Sequence, residues 1–303
     1  MSIFKKNGIK ILSQPKPQEC GGTTATLDTK APKEITSTDM TLFNVSSALP
    51  YRGHEEQELG FVSAYAARTC GGTFLFFEKG DIPRKHGKKE RGWALVKENV
   101  MPALCELVRE CNIAKNNGFH SKTHGLPENF GGDIDIRYGS GERISISNNQ
   151  SSVLSYDTGS KIAQLFTAAM NGEKIPLPDV SSLLSIVFEE KRENGGFTNA
   201  NLTFNEDGTA TNKKTCRYDD PRIYESTKPV EADIVENIKN RIVQSGIFAW
   251  SGLPDSGFSF TGDKRLTFIF KDADSITVKY GKILPDRIQR GFFDIELEMT
   301  TKH

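Results

Sequence analysis

The chain has 303 residues, 36% hydrophobic and 26% charged, the balance of an ordinary globular protein with room for about two domains. Lys plus Arg equals Asp plus Glu at 39 each, which leaves no global basic field for nucleic acid and no acidic tail. No apolar run follows the positive N-terminal residues, no long apolar stretch occurs elsewhere, and the five cysteines include no CxxC pair. Neither a signal peptide nor a membrane span is expected, and the thiols read as reduced ones in a cytoplasmic protein.

In chain order, residues 1–38 read as a lead-in. Gln14-Pro15-Lys16-Pro17-Gln18 breaks helix, and 23–38 is rich in Thr, Ser, Lys and Pro. At most a short strand at 9–12 is expected there, ahead of a mobile or loosely docked remainder. The first repeat, 39–171, opens with strands at 40–45 and 59–66 and the dense apolar run TFLFFE at 73–78. A basic loop at 83–91 follows. A helix is predicted over 97–111, where Val100, Leu104, Leu107, Val108 and Cys111 form one stripe and Pro102 falls in the first turn. Next come a polar loop after Gly118, a hairpin of 134–138 with 143–147 across Gly139-Ser140-Gly141, and a helix at 160–170.

A Gly/Pro linker at 172–180 leads to the second repeat, 181–303. Its predicted elements are a strand at 183–189, a hairpin of 200–205 with 209–214 over Asp207-Gly208, a helix at 232–245 and a hairpin of 266–271 with 275–280. Asp286, after Pro285, caps a last helix carrying Ile288, Phe292, Ile295 and Met299 at helical spacing.

The two repeats share one pattern. Val96, Val100, Leu104, Val108, Ile113 and Gly118 superimpose on Val230, Ile234, Ile238, Ile242, Ile247 and Gly252 with a shift of 134 residues. After a two-residue slip, Ile134, Ile136, Tyr138, Ile144 and Ile146 match Leu266, Phe268, Phe270, Ile276 and Val278. The pattern predicts an α+β tandem duplication, each copy an antiparallel sheet with helices packed on one face.

PKEITSTDMTLF at 32–43, the NNGF and WSGL ends of the two helical segments, the hairpins and the Pro-led last helix resemble a group of uncharacterised tandem-repeat proteins of gut Firmicutes. Trp250, Gly252 and Ser256 fit that pattern in the second copy. Gly118, Phe119 and Ser121 fit it in the first, where Asn116 stands for the Trp. The resemblance covers 32–170 and, more loosely, 183–300, and implies no known activity.

His120 and His124 are the candidate metal ligands. On a helix, four-residue spacing would let both imidazoles face one ion, with Asp133 or Asp135 as an oxygen ligand; the flanking Gly118 and Gly125 favour an exposed polar loop instead. Arg84, Lys85, Lys88, Lys89 and Arg91 form either a solvated loop or a partner contact. Trp250 is either an interface anchor or a plug beneath the helix end. Cys20 and Cys70, each followed by Gly-Gly-Thr, lack a neighbouring base and read as turn cysteines, and the carboxylate pairs Asp133/Asp135 and Asp219/Asp220 as solvated. No nucleotide-loop or hydrolase motif occurs, and no cofactor is expected. The leading expectation is a non-catalytic cytoplasmic module that binds a protein or peptide. The alternatives are a metal-assisted hydrolase built on His120 and His124, and an inhibitor or immunity-type binder.

Overall fold

The computed structural model describes residues 22–50, 59–69, 72–80, 89–125, 130–218, 221–250, 263–280 and 286–301, together with the backbone of 5–6 and 9–13. The chain divides into two units, Met1–Ile175 and Pro176–His303.

The first unit runs β1 (Lys5–Lys6), β2 (Ile9–Ser13), β3 (Thr23–Asp28), β4 (Met40–Ala48), β5 (Phe61–Arg68), β6 (Thr73–Gly80), β7 (Lys89–Val96), α1 (Met101–Glu110), a 3-10 turn (Ile113–Asn116), β8 (Phe119–Thr123), β9 (Gly132–Tyr138), β10 (Arg143–Asn148) and α2 (Tyr156–Met170). The strands form one sheet in the order β1-β2-β3-β8-β10-β9-β4-β5-β6-β7. Its only parallel pair among the described strands is β8 with β10. Strand alternation sends Phe43, Val45, Ile134 and Ile136 to one buried face. Both helices cover that face. α1 buries Met101, Leu104, Leu107 and Val108, and carries Pro102 in its first turn, where the missing N–H is tolerated. α2 is capped by Ser155, whose hydroxyl accepts from Thr158 N at 3.1 Å. Its Phe166 ring lies 5.9 Å from Phe43 and 5.6 Å from Phe77.

The second unit runs β11 (Leu183–Lys191), β12 (Phe197–Phe204), β13 (Ala210–Arg217), β14 (Tyr224–Val230), α3 (Ala232–Ser245), a 3-10 turn (Ile247–Trp250), β15 (Asp263–Phe270), β16 (Ile276–Lys279) and α4 (Asp286–Thr300). Its sheet is ordered β14-β13-β12-β11-β15-β16. That is the order β7-β6-β5-β4-β9-β10 of the first unit, element for element.

The duplication extends to register. Phe43 faces Ile136 across β4 and β9 as Ile186 faces Phe268 across β11 and β15. A register shift interrupts the first pair between Met40 and Leu42, and the second between Leu183 and Ser185. Position for position these are the same bulge. Both 3-10 turns also lie at the shift of 134 residues read from the sequence.

Several expectations need correction. The loop expected after Gly118 is strand β8 over 119–123. Within the lead-in a second strand, β3, pairs with β2 and β8. β7 and β14 were not expected as strands, and residues 89–91 of the expected basic loop lie on β7. β3 (TTATLD) and β8 (FHSKT) carry no apolar alternation. Backbone pairing within the sheet holds them, so their side chains give no period to read.

Candidate functional site

Arg84, Lys85, Lys88, Asp219, Asp220, Cys20 and Cys70 lie outside the described residues, as do the side chains of Lys89 and Trp250. Arg91 is exposed on β7. His120 sits half-buried on β8, with Nδ1 2.9 Å from Ser147 Oγ, and His124 is exposed just past the strand end. In a strand, residues four apart share a face but stand roughly 13 Å apart along it. That separation is too wide for one ion with bonds of about 2 Å, so the helical spacing argument does not carry over to these two residues. Among the described residues no group of three or more His, Cys, Asp or Glu is placed to hold a metal. Asp135 is not a free carboxylate: Arg137 Nη2 and Arg143 Nε both reach it at 2.7 Å.

His120 opens on a cleft of about 400 Å³, lined also by Asp28, Lys30, Asn117, Glu142 and Arg143. Burial first, and the charge of Arg143 second, push its pKa below the usual imidazole value. A second cleft of about 300 Å³ lies against α1, beside Ile35, Cys105 and Tyr138. Between the two, residues 28–38 form a strap pinned from below. Asn117, fully buried, donates to Pro32 O at 2.9 Å and Arg143 O at 2.7 Å and accepts from Ser145 N at 2.7 Å. Gly118, at φ 81°, accepts from Asp28 N at 2.9 Å. Glu142 accepts from Thr36 N at 3.0 Å and Ser37 N at 2.9 Å. The strap's backbone is therefore held by side chains from the turn after α1 and from the β9–β10 hairpin.

The second copy carries a feature absent from the first. Lys264, Glu190, Thr198, Cys216 and Tyr224 stand in register across β15, β11, β12, β13 and β14, on the helix side of the sheet. The same row in the first copy is Gly132, Ser47, Val62, Lys79 and Glu90. Lys264 Nζ lies 3.3 Å from Glu190 Oε1 and 2.6 Å from Glu296 Oε1 of α4, and Arg192 Nη2 lies 2.6 Å from Glu190 Oε2. Burial works against the charged forms, yet Arg192 and Lys264 hold Glu190 below the usual carboxylate range, and Glu296 and Glu190 hold Lys264 above the usual ammonium value. Two cations balance two carboxylates, and the shifts move Glu190 and Lys264 away from neutral pH. This arrangement fixes charge and is not poised to exchange protons at pH 7.

The two sheets also differ at one edge. In the first copy the end of β7 is covered by the chain itself: Val96 bridges Lys174, Ile175 N donates to Leu95 O at 2.8 Å and Lys97 N to Glu173 O at 2.9 Å. The equivalent strand, β14, has no strand on its outer side among the described residues, and Tyr224–Thr227 are exposed. The β12–β13 hairpin sets the phase of this edge. Asn205 N bonds Thr209 O, so alternation makes Thr211, Lys213 and Thr215 bond back to β12 and leaves Asn212, Lys214 and Cys216 to bond β14. Their partners are Lys228, Ser226 and Tyr224. Glu225, Thr227 and Pro229 therefore turn their backbone groups outward. Pro229 is tolerated because its missing N–H falls on the open side. The edge presents the N–H groups of Glu225 and Thr227 and the carbonyls of Glu225, Thr227 and Pro229.

Exposed apolar side chains gather where β14 begins. Tyr218 and Tyr224 are each 43% exposed and Ile223 is 59% exposed. The two tyrosine rings are 6.0 Å apart, and the Arg192 guanidinium lies 5.2 Å above Tyr218. Neither this edge nor the charged row was among the residues singled out in the sequence. The 134-residue shift, carried back from Val96 and Val230, places 224–230 on 90–96 and so marks β14 as the partner of β7.

No family model and no curated protein matches the chain. No helix among the described residues is long and apolar enough to cross a membrane.

Proposed function

We propose that this is a non-catalytic, cytoplasmic module that binds a protein or peptide by strand addition at the β14 edge. The observation that carries the reading is the β14 edge itself: it ends its sheet with no strand on its outer side among the described residues, and its outward groups at 225–229 adjoin the exposed Tyr218, Ile223 and Tyr224. An exposed edge is a template for another strand, and proteins ordinarily block it. Added strands gain affinity from main-chain hydrogen bonds and selectivity from alternate side chains. The free thiols of Cys105, Cys111 and Cys216 agree with a reducing compartment. The equal count of acidic and basic residues gives nucleic acid no overall field to follow.

The test is a peptide library displayed on phage and panned against the full-length protein. Peptides that bind wild type and lose binding to Thr227→Pro support the reading. That substitution removes an outward N–H in the phase Pro229 already occupies, and circular dichroism checks that the fold is kept. A library that enriches nothing, or binders indifferent to Thr227→Pro, would overturn it.

A further inference from the structure

Resting on the strand-addition reading, we infer that the β14 edge selects an extended segment with a Lys or Arg opposite Glu225 and, next to it in sequence, a bulky apolar residue on the Tyr218–Tyr224 pair. Glu225 is exposed and makes no ion pair or hydrogen bond with another described side chain. It lies on the sheet face away from the helices and belongs to the residues whose backbone turns outward. In an added strand, the residue directly opposite sits on the same face within side-chain reach, and opposite charges there are favoured. A cation on the incoming strand therefore meets Glu225. Alternation then sends the neighbouring residue of that strand to the helix side, where Tyr224 lies. There it finds a ready apolar surface, since Tyr224 is 6.0 Å from Tyr218 and both rings are 43% exposed. Ile223, 59% exposed, extends that surface at the start of the edge.

The length of the edge argues for a short segment. Its two outward N–H groups and three outward carbonyls span 225–229, and Pro229 offers no donor with which to continue the ladder. A second copy of this chain fits less well. Antiparallel self-pairing that places Ser226 against Ser226 sets Glu225 opposite Thr227 of the other copy, so the carboxylate gains no directly opposed cation. The chemistry that matches the edge is a basic residue beside a large apolar one, in extended form.

The same panning tests this, with the sequences of the binders as the readout. Binders sensitive to Thr227→Pro are expected to be enriched in Lys or Arg adjacent to Leu, Ile, Phe or Val. Panning on Glu225→Lys is expected to shift the enrichment to Asp or Glu, and Tyr224→Ser to weaken a selected synthetic peptide about tenfold by fluorescence polarisation. Thr227-dependent binders with no basic bias, and no change of bias on Glu225→Lys, would overturn the inference and leave strand addition standing. A concentration-dependent dimer in sedimentation, abolished by Thr227→Pro, would assign the edge to a second copy and also overturn it. The absence of any Thr227-dependent binder removes both readings.

Discussion

Glu190 and Lys264 face each other across β11 and β15 at the register position that Ser47 and Gly132 hold across β4 and β9. One duplicated position thus carries a pair of small residues in one copy and an ion pair in the other. In the first copy the space is closed: a Cβ on Gly132 would strike the Ser47 backbone, and Ser47 Oγ takes a hydrogen bond from Val153 N at 3.2 Å. In the second copy two long side chains and Glu296 of α4 fill it. The same scaffold therefore accepts a charged layer beneath its last helix, on condition that the charges come as a balanced set.

That condition predicts the effect of Lys264→Met. The substitution keeps the aliphatic bulk and removes the cation shared by Glu190 and Glu296. Breaking one partner out of a buried ion pair typically costs about 3 kcal/mol, because a desolvated charge is left behind. Urea unfolding at pH 7 is expected to show a loss of that order. Lys264→Met combined with Glu296→Leu is expected to recover much of it, since an apolar pair of similar volume avoids the buried charge. A Lys264→Met variant as stable as wild type would show that the carboxylates do not depend on this lysine.

Asp135 predicts an acid-dependent difference. Burial alone would raise its pKa, but the hydrogen bonds and charges of Arg137 and Arg143 together hold it below the usual carboxylate value. A carboxyl depressed in the folded state contributes stability above its unfolded pKa of about 3.9, and that contribution is lost as pH falls through the folded value. Asp135→Asn is expected to be less stable than wild type at pH 7 by about 1 kcal/mol, a modest figure because the pairs are partly exposed. The gap is expected to close as pH is lowered below 4. Denaturant midpoints measured across that range check it.

Apolar periodicity decided what could be read in advance. α3 spans Ala232–Ser245, the range its stripe of isoleucines predicts, and the β9–β10 hairpin follows from Ile134, Ile136, Ile144 and Ile146. Three of the strands missed, β3, β8 and β14, are polar. Among them, β14 (YESTKPV) carries two charges and a proline, and its side chains are mostly exposed. The charged row was hidden for a related reason. Glu190 stands near the end of β11 in FEEK, where a charge ordinarily reads as solvated, and only the cross-strand register brings Lys264 and the α4 residue Glu296 to it. Contacts between residues far apart in sequence leave no local pattern.

Asn117 is a second long-range junction, and it predicts how the strap is held. Its amide donates to two carbonyls, Pro32 O and Arg143 O, while its oxygen accepts from Ser145 N. Asn117→Asp keeps the shape, removes both donated bonds and sets a carboxylate oxygen against two carbonyl oxygens. A destabilisation of about 2–4 kcal/mol is expected, from unsatisfied buried groups and charge repulsion. Hydrogen exchange gives the local signature. The Asp28 amide, bonded to Gly118 O, is expected to lose protection before the amides of β4 and β9. Uniform loss across the sheet would mean that Asn117 supports the whole unit and not the strap in particular.

His120 provides a titration that separates two causes. Burial is the larger influence lowering its pKa, the Arg143 charge adds to it, and Asp28 opposes both. Ring resonances followed by NMR are expected to titrate below the usual imidazole value of about 6.5. Arg143→Gln is expected to raise the pKa without restoring that value, because burial persists; Asp28→Asn is expected to lower it further. The consequence for stability follows from the sign of the shift. An imidazole whose folded pKa is depressed favours the neutral ring, so its contribution is complete above about pH 6.5 and is lost as pH falls through the folded value. Replacing His120 by Gln is expected to flatten the pH dependence of stability in that window. Arg143→Gln also loses the 2.7 Å bond to Asp135 and lowers stability on that account, so the NMR titration, which reads the ring alone, decides the point. A His120 pKa unmoved by Arg143→Gln would leave burial as the whole cause.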